Sequence, residues 1–128
     1  MIFVFGSNLG GRHGAGAALT ALREYGAILG VEGHMGFHGN SYAIPTKDGS
    51  LRTLTLKEIN VYVENFISFA INQQKREFQV TRIGCGRARL RDQDMAKMFE
   101  NAPSNCYFDE KWELYLPQDK KIWGTFKG

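Results

Sequence analysis

Apolar and polar positions alternate along the chain in blocks that predict four strands separated by three helices. Short apolar runs, typical of strands buried on both faces, are followed by polar, glycine-bearing segments and then by apolar residues at helical spacing. Strands are predicted at residues 2–5, 41–46, 77–83 and 105–108, and helices at residues 14–25, 55–74 and from 92 onward. The order β-α-β-α-β-α-β predicts an α/β sandwich with a largely parallel sheet, folded as one domain over residues 1–128.

Local signals predict where several elements begin and end. Thr55 can cap the second helix, with Glu58 as its capping-box partner. Pro45 predicts the end of the second strand, because proline has no backbone N–H for a sheet. Residues 30–40 are predicted to form a glycine-rich loop, and residues 112–116 a fifth strand at the edge of the sheet. The tail from residue 118 is basic and predicted to be peripheral.

A glycine-rich turn between the first strand and the first helix carries the most specific chemical signal. Residues 6–18 have the sequence GSNLGGRHGAGAA. A strand, a glycine-rich loop and a helix are how many proteins aim backbone N–H groups at phosphate oxygens. The turn is not a P-loop, because no Lys-Ser or Lys-Thr pair follows it, and Leu19 stands where a dinucleotide fingerprint needs glycine or alanine. It predicts a site for a phosphorylated small molecule; the alternative is a turn whose glycines serve packing only.

Three polar segments that follow predicted strands are expected to meet at one edge of the sheet. They span residues 6–16, 46–49 and 84–94. The carboxyl ends of parallel strands share an edge, and ligands of α/β proteins bind there. Four arginines in or beside the third segment, within a net charge of +3, suit an anionic ligand and are compatible with nucleic acid: Arg82, Arg87, Arg89 and Arg91. The alternative for each arginine is a solvated basic face.

The cysteines and histidines predict neither a metal site nor a cofactor. Cys85 and Cys106 form no Cys-x-x-Cys pair, so both are expected to be free thiols in a reducing compartment, the cytoplasm. Cys85 has no histidine placed to activate it as a nucleophile. His34 and His38 are four residues apart, as metal ligands can be, but no carboxylate lies beside them. No apolar run is long enough to span a bilayer, so we expect no membrane partner.

The glycine-rich turn and the third segment together resemble the macrodomain superfamily, which binds ADP-ribose. Residues 5–18 are similar to that family's strand-end asparagine with its glycine-rich loop and Gly-Ala helix start. Thr46-Lys47 and the sequence IGCGRARL at residues 83–90 resemble the terminal ADP-ribose protein glycohydrolases and the related DNA-deADP-ribosylating antitoxins. The chain also resembles small phage and bacterial macrodomain-like proteins, and the resemblance spans about residues 2–108.

The resemblance implies a three-layer α/β/α sandwich with a mostly parallel mixed sheet, holding ADP-ribose or a related nucleotide. In that family two loops enclose the distal ribose and the diphosphate. Carried over to this sequence, the implied ligand-binding residues are Gly6, Ser7, Asn8, Gly14, Ala15, Gly16, Thr46, Gly84, Cys85, Gly86 and Arg87.

The same resemblance implies one catalytic candidate, Lys47, whose amine could attack C1″ of the distal ribose. Asp92 or Asp94, at the start of the third helix, could act as an acid–base group. Each has an ordinary alternative, a turn lysine and a first-turn helix acid. The glycohydrolase branch places an acidic residue where this chain has Ala88, a departure that favours binding without catalysis.

For Asn8, His13 and Phe37 the sequence allows either a contact with the ligand or a purely structural role. The Asn8 amide could contact a ribose or form an Asx-turn. His13 could touch a phosphate or cover its loop, and Phe37 could stack on an adenine or pack in the core.

Three functions therefore remain open on the sequence. The first is binding of ADP-ribose or a related nucleotide, with removal of ADP-ribosyl groups from a protein or nucleic acid. The second is a non-catalytic binder of an ADP-ribose-derived signal. The third is a basic nucleic-acid-binding module, which predicts affinity that falls steeply with salt.

Overall fold

The computed structural model describes residues 1–30 and 35–126. Its elements, in chain order, are β1 (Ile2–Asn8), α1 (Gly16–Glu24), β2 (Gly36–His38), β3 (Ser41–Lys47), α2 (Leu56–Ile71), β4 (Phe78–Val80), α3 (Asp92–Lys97), β5 (Cys106–Asp109), a 3-10 helix (Glu110–Tyr115) and β6 (Lys121–Gly124). The strands form one six-stranded sheet in the order β2-β3-β1-β4-β5-β6. Every neighbouring pair is parallel except β2 with β3, which confirms the predicted α/β fold with a mostly parallel mixed sheet.

The sheet is covered on both faces, because successive side chains of its strands point to opposite sides. On β1, Ile2 and Val4 join the larger hydrophobic cluster, to which α2 and α3 contribute. Phe3 and Phe5 join a smaller cluster that includes Ala21 of α1. The two clusters make the helix–sheet–helix layers of an α/β sandwich.

Helix α2 forms as its sequence predicts. Glu58 N donates to Thr55 Oγ1 (3.2 Å) and Thr55 N donates to Glu58 Oε1 (3.1 Å), so the capping box is complete. The residues buried by the helix recur at helical spacing and belong to the larger core: Ile59, Val63, Phe66 and Ala70.

The prediction of an edge strand at residues 112–116 is wrong, because this part of the chain belongs to the 3-10 helix. The Asp109 carboxylate caps it by accepting from Lys111 N (2.9 Å). Trp112 turns inward, is fully buried, and donates its indole N–H to Asp92 (2.8 Å). Its aromatic character favours a strand locally, but burial against the larger core decides the outcome.

The tail predicted as peripheral instead contains β6, which pairs in parallel with β5. Ile122 packs against the larger core, and the Trp123 indole donates to the Val80 carbonyl (2.8 Å).

Two other predictions, for the loop at residues 30–40 and for the end of the second strand, also need correction. The loop predicted at residues 30–40 contains β2, and β3 continues past Pro45 to Lys47. In the described part of the chain β2 pairs with residues 41–43 of β3, so no described strand residue there needs the missing Pro45 N–H.

The histidine pair considered as metal ligands is only partly described. His34 lies outside the described residues, and His38 Nε2 is 3.1 Å from the Met35 carbonyl. None of the described helices is long and apolar enough to cross a bilayer.

Candidate functional site

A cavity of about 1030 Å³ opens at the carboxyl ends of β1, β3, β4 and β5. All eleven residues proposed as ligand contacts line it, and so does Lys47. The three segments expected to converge therefore do so. The cavity has two walls, formed by the segments that connect the strands to the elements that follow them. The segments leading to α2 and α3 lie on the side of the larger core, whereas the start of α1 and Phe126 lie on the side of the smaller one.

The Asn8 side chain shapes the first loop, residues 9–15. Its Oδ1 accepts from Gly10 N and from Arg12 N, both at 3.1 Å, and its Nδ2 donates to the Arg12 carbonyl at 2.8 Å. These bonds correspond to the Asx-turn alternative. The amide thus uses three of its four hydrogen-bonding positions on the loop, and a ribose contact through the remaining N–H stays a prediction.

A short segment after α1 braces the same loop from behind. Gly30 N donates to the Gly11 carbonyl (2.9 Å), and His13 Nε2 donates to the Ile28 carbonyl (2.8 Å). Gly11 has φ +67°, and a Cβ there would lie 1.5 Å from the Gly30 oxygen, so only glycine fits. His13 is buried, does not line the cavity, and therefore covers the loop rather than facing a ligand.

The N-terminus of α1 faces the cavity without a capping side chain. Ala15 occupies the N-cap position, makes no side-chain hydrogen bond, and the first turn contains no acidic residue. The other two α-helices differ, because α2 has its capping box and α3 begins with Asp92 and Asp94. The first N–H groups of α1 and the positive end of its dipole are therefore available to an anion in the cavity.

The second loop, residues 83–91, is held by its own backbone and by the turn before α2. Leu90 N donates to the Gly84 carbonyl (2.8 Å), and Thr53 Oγ1 donates to the Ala88 carbonyl (3.2 Å). Gly84 has φ +80°, and a Cβ there would meet Leu90 Cδ1 at 2.9 Å. The loop therefore packs tightly on its inner side, while a Cβ at Gly86 would meet no atom within 4 Å.

Asp92 lies behind the second loop and is not among the residues that line the cavity. Arg82 donates to both carboxylate oxygens (2.8 and 2.6 Å), and the Trp112 indole adds a third bond (2.8 Å). The hydrogen bonds from Arg82 lower the pKa of Asp92, so it is held as an anion. This geometry favours the ordinary first-turn alternative, in which Asp92 anchors α3 to the sheet and to the 3-10 helix.

The Cys85 thiol is protonated at neutral pH. Burial, together with the nearby Asp92 carboxylate, raises its pKa to about 12. Both cysteines are free, as expected. Cys85 therefore contributes shape to the cavity, and its thiolate is not available as a nucleophile.

Four cations at the cavity carry no ion pair within the described part of the chain: Arg12, Lys47, Arg87 and Arg89. Asp109, which is fully buried, is the one carboxylate among the lining residues that the structure describes. The oxygens of the Asp109 carboxylate already accept hydrogen bonds from Lys111 N, Thr125 Oγ1 and Phe126 N. The accessible charge of the cavity is therefore positive.

Sequence reasoning missed four lining residues: Leu51, Thr81, Asp109 and Phe126. Asp109 could have been found, because it directly follows the fourth predicted strand and so reaches the same edge of the sheet. Phe126 reaches the cavity only through the unpredicted β6, and Leu51 lies on a turn. Phe37, considered for adenine stacking, packs on Phe69 instead (5.3 Å between ring centroids).

No group of three or more potential metal ligands occurs in residues 1–30 and 35–126. Comparison of the chain with models of known protein families, with curated proteins and with solved structures found no match.

Proposed function

We propose that this protein binds ADP-ribose or a related nucleotide with a diphosphate in the cavity at the carboxyl edge of its sheet. The observation that carries the proposal is the uncapped N-terminus of α1, which opens onto a cavity with four cations that have no ion-pair partner among the described residues. Backbone N–H groups at a helix start and cationic side chains are what a diphosphate requires.

The dimensions of the cavity also suit a ligand with a group on each side of a diphosphate. Its volume of about 1030 Å³ is at the upper end of the range for small-molecule sites. From the end of β3 to the end of β5 it crosses three strand spacings, roughly 14 Å in all. The phosphate-binding elements follow β1 and β4 in the middle. The apolar Leu51 lies on the turn that follows β3, and Phe126, whose N–H donates to Asp109 at the end of β5, packs its ring against Phe3 of β1 (5.9 Å between ring centroids).

Calorimetric titration with ADP-ribose, using AMP and NAD as controls, tests this proposal. We expect one-to-one binding of ADP-ribose that is tighter than binding of AMP, which lacks the second phosphate and the distal ribose. Absence of binding at millimolar ADP-ribose would contradict it. Equal, steeply salt-dependent binding of nucleic acid without preference for ADP-ribose would support the basic-module alternative.

A second candidate function, hydrolysis of an ADP-ribosyl bond, is supported by Lys47. This residue is half-buried in the cavity lining and has no carboxylate partner in the described part of the chain. A neutral Lys47 amine could attack C1″ of the distal ribose, forming a C–N bond as the bond to the macromolecule breaks and the leaving group takes up a proton. Water would then hydrolyse the C–N bond, which releases ADP-ribose and restores the amine.

Release of free ADP-ribose from ADP-ribosylated protein and nucleic acid tests this second candidate. Lys47→Ala and Lys47→Arg should both abolish turnover, because neither provides a nucleophilic amine, while ADP-ribose binding survives in Lys47→Arg. Lys57→Ala, which removes an exposed lysine on α2, is the matched control. If Lys47→Ala retains full turnover, Lys47 is not the nucleophile, and if the wild type releases nothing, the protein is a binder.

Because both cysteines are free thiols, we expect the protein to work in a reducing compartment such as the cytoplasm.

A further inference from the structure

Two residues of the cavity hold a backbone conformation that side chains other than glycine rarely adopt. Glycine occupies eight of the described positions with positive φ, and the other two are Leu51 (φ 66°) and Arg89 (φ 58°). Both line the cavity. For a leucine this region is strained, because its Cβ approaches the following carbonyl oxygen. Strained residues of this kind cluster at ligand sites, where the side chain has a use that offsets the strain.

The turn around Leu51 fixes this conformation. The Asp48 carboxylate accepts from Ser50 N (2.8 Å) and Arg52 N (2.9 Å), and Leu51 N donates to the Asp48 carbonyl (3.1 Å). Glycine would satisfy the same turn without strain. Leu51 is 46% exposed, so packing within the protein does not account for the choice of leucine.

We propose that Leu51 is a specificity-determining contact, packing against the distal ribose of the bound nucleotide so that ADP-ribose is preferred over ADP. This inference rests on the proposed binding of ADP-ribose. ADP carries the same adenine and diphosphate and lacks only that sugar.

The position of the turn assigns Leu51 to the sugar end of the ligand. The turn follows β3, its base is closed by the Lys47–Thr53 bridge, and it contacts the first loop through the bond from Leu9 N to the Lys47 carbonyl (2.9 Å). Phe126, whose ring suits a flat purine, enters the cavity from the β5 side, where its N–H donates to Asp109 (3.3 Å), and its ring packs against Phe3 of β1 (5.9 Å between ring centroids) on the wall opposite Leu51. With the diphosphate between them, the distal ribose lies toward β3, beside Leu51 and Lys47.

Titration of the wild type and of Leu51→Gly with ADP-ribose and with ADP tests the inference. Burial of the exposed half of the leucine corresponds to about a fivefold effect, so we expect ADP-ribose to bind about fivefold more weakly to Leu51→Gly while ADP is unaffected. The melting temperature should not fall, because glycine relieves the strain. Leu114→Ala, a leucine that is 85% exposed away from the cavity, should change neither affinity.

The other strained position separates this effect from a general change in the cavity. Arg89→Gly relieves the same kind of strain but removes a cation, so it should weaken ADP-ribose and ADP alike. Leu51→Asn, which tolerates positive φ, repeats the test should Leu51→Gly fold poorly.

An unchanged preference for ADP-ribose over ADP in a folded Leu51 variant would overturn the inference and leave the proposed function intact. Unfolding of both Leu51 variants would assign the residue to the fold and would also overturn it. Failure of the wild type to bind ADP-ribose would overturn the proposed function, and this inference with it.

Discussion

A cap placed on α1 should stabilise the protein and weaken ligand binding at the same time. Ala15 has φ −160° and ψ 165°, the extended geometry usual for an N-cap residue, but its methyl group cannot accept a hydrogen bond. In Ala15→Asp the new carboxylate can accept from the N–H groups of Ala17 or Ala18, two and three residues on. The same N–H groups are those proposed to bind the diphosphate.

The two effects can be estimated separately. An N-cap in place of alanine contributes about 1 kcal/mol to the free energy of unfolding, which corresponds to a rise in melting temperature of roughly 4 °C for a domain of this size. A diphosphate that loses a charge-assisted hydrogen bond and meets a fixed carboxylate should lose about 2 kcal/mol, or roughly thirtyfold in Kd.

Urea unfolding and calorimetric titration with ADP-ribose measure both quantities on the same variant. Thr55→Ala is the matched control, because it removes the cap of α2 and Thr55 is not among the residues that line the cavity. It should lower the free energy of unfolding by about 1 kcal/mol and leave the affinity unchanged. If Ala15→Asp is stabilised yet binds ADP-ribose as tightly as the wild type, the N-terminus of α1 does not hold the phosphates and the reasoning is refuted.

Two further predictions concern the loops around the cavity. Gly11→Ala should lower the free energy of unfolding by about 3 kcal/mol in urea titrations, because its Cβ would lie 1.5 Å from the Gly30 oxygen at a positive φ, whereas Gly14→Ala, with nothing within 4 Å, should change it little. Similar unfolding midpoints for these two variants would show that the brace behind the first loop is unimportant. Asp92→Asn should cost about 1 kcal/mol at pH 7, and Asp92→Ala about 2 kcal/mol, because alanine also leaves the buried Trp112 indole without an acceptor. The pKa of Asp92 is lowered in the folded state, so its contribution is present above the ordinary carboxyl pKa of about 4 and is lost as the pH falls through the lowered value. Unfolding measured between pH 7 and pH 3 should therefore show the gap between wild type and Asp92→Asn closing at acid pH; a gap that widens there would contradict the ion-pair account.

The parts of the fold that the sequence predicts are those with a local cause. The capping box and apolar stripe of α2 lie within sixteen residues of helix and one cap, so they can be recognised without knowledge of the sheet. The buried run at the start of β1 is equally local. From these elements, the rule that parallel strands end at one edge was enough to bring the three ligand segments together, and the cavity confirms that convergence.

The parts that escaped prediction depend on contacts between distant segments. Trp112 belongs to a 3-10 helix because its indole reaches Asp92, twenty residues earlier, and packs against Phe99 and Phe108. Strand β6 exists through pairing with β5, and only that pairing carries Phe126 to the cavity. The left-handed conformation of Leu51 has no local signature, since the Asp-Gly turn before it is compatible with several conformations.

Amide NMR spectra of the isotope-labelled protein, recorded during titration with ADP-ribose, test the central claim most directly because they report binding and its location together. The account predicts saturable shifts at Gly16–Ala18 and Gly84–Gly86, smaller shifts with AMP, and none at residues 72–76, which follow the C-terminus of α2 and do not line the cavity. A spectrum unchanged at millimolar ADP-ribose, or shifts confined to residues outside the cavity, would contradict it.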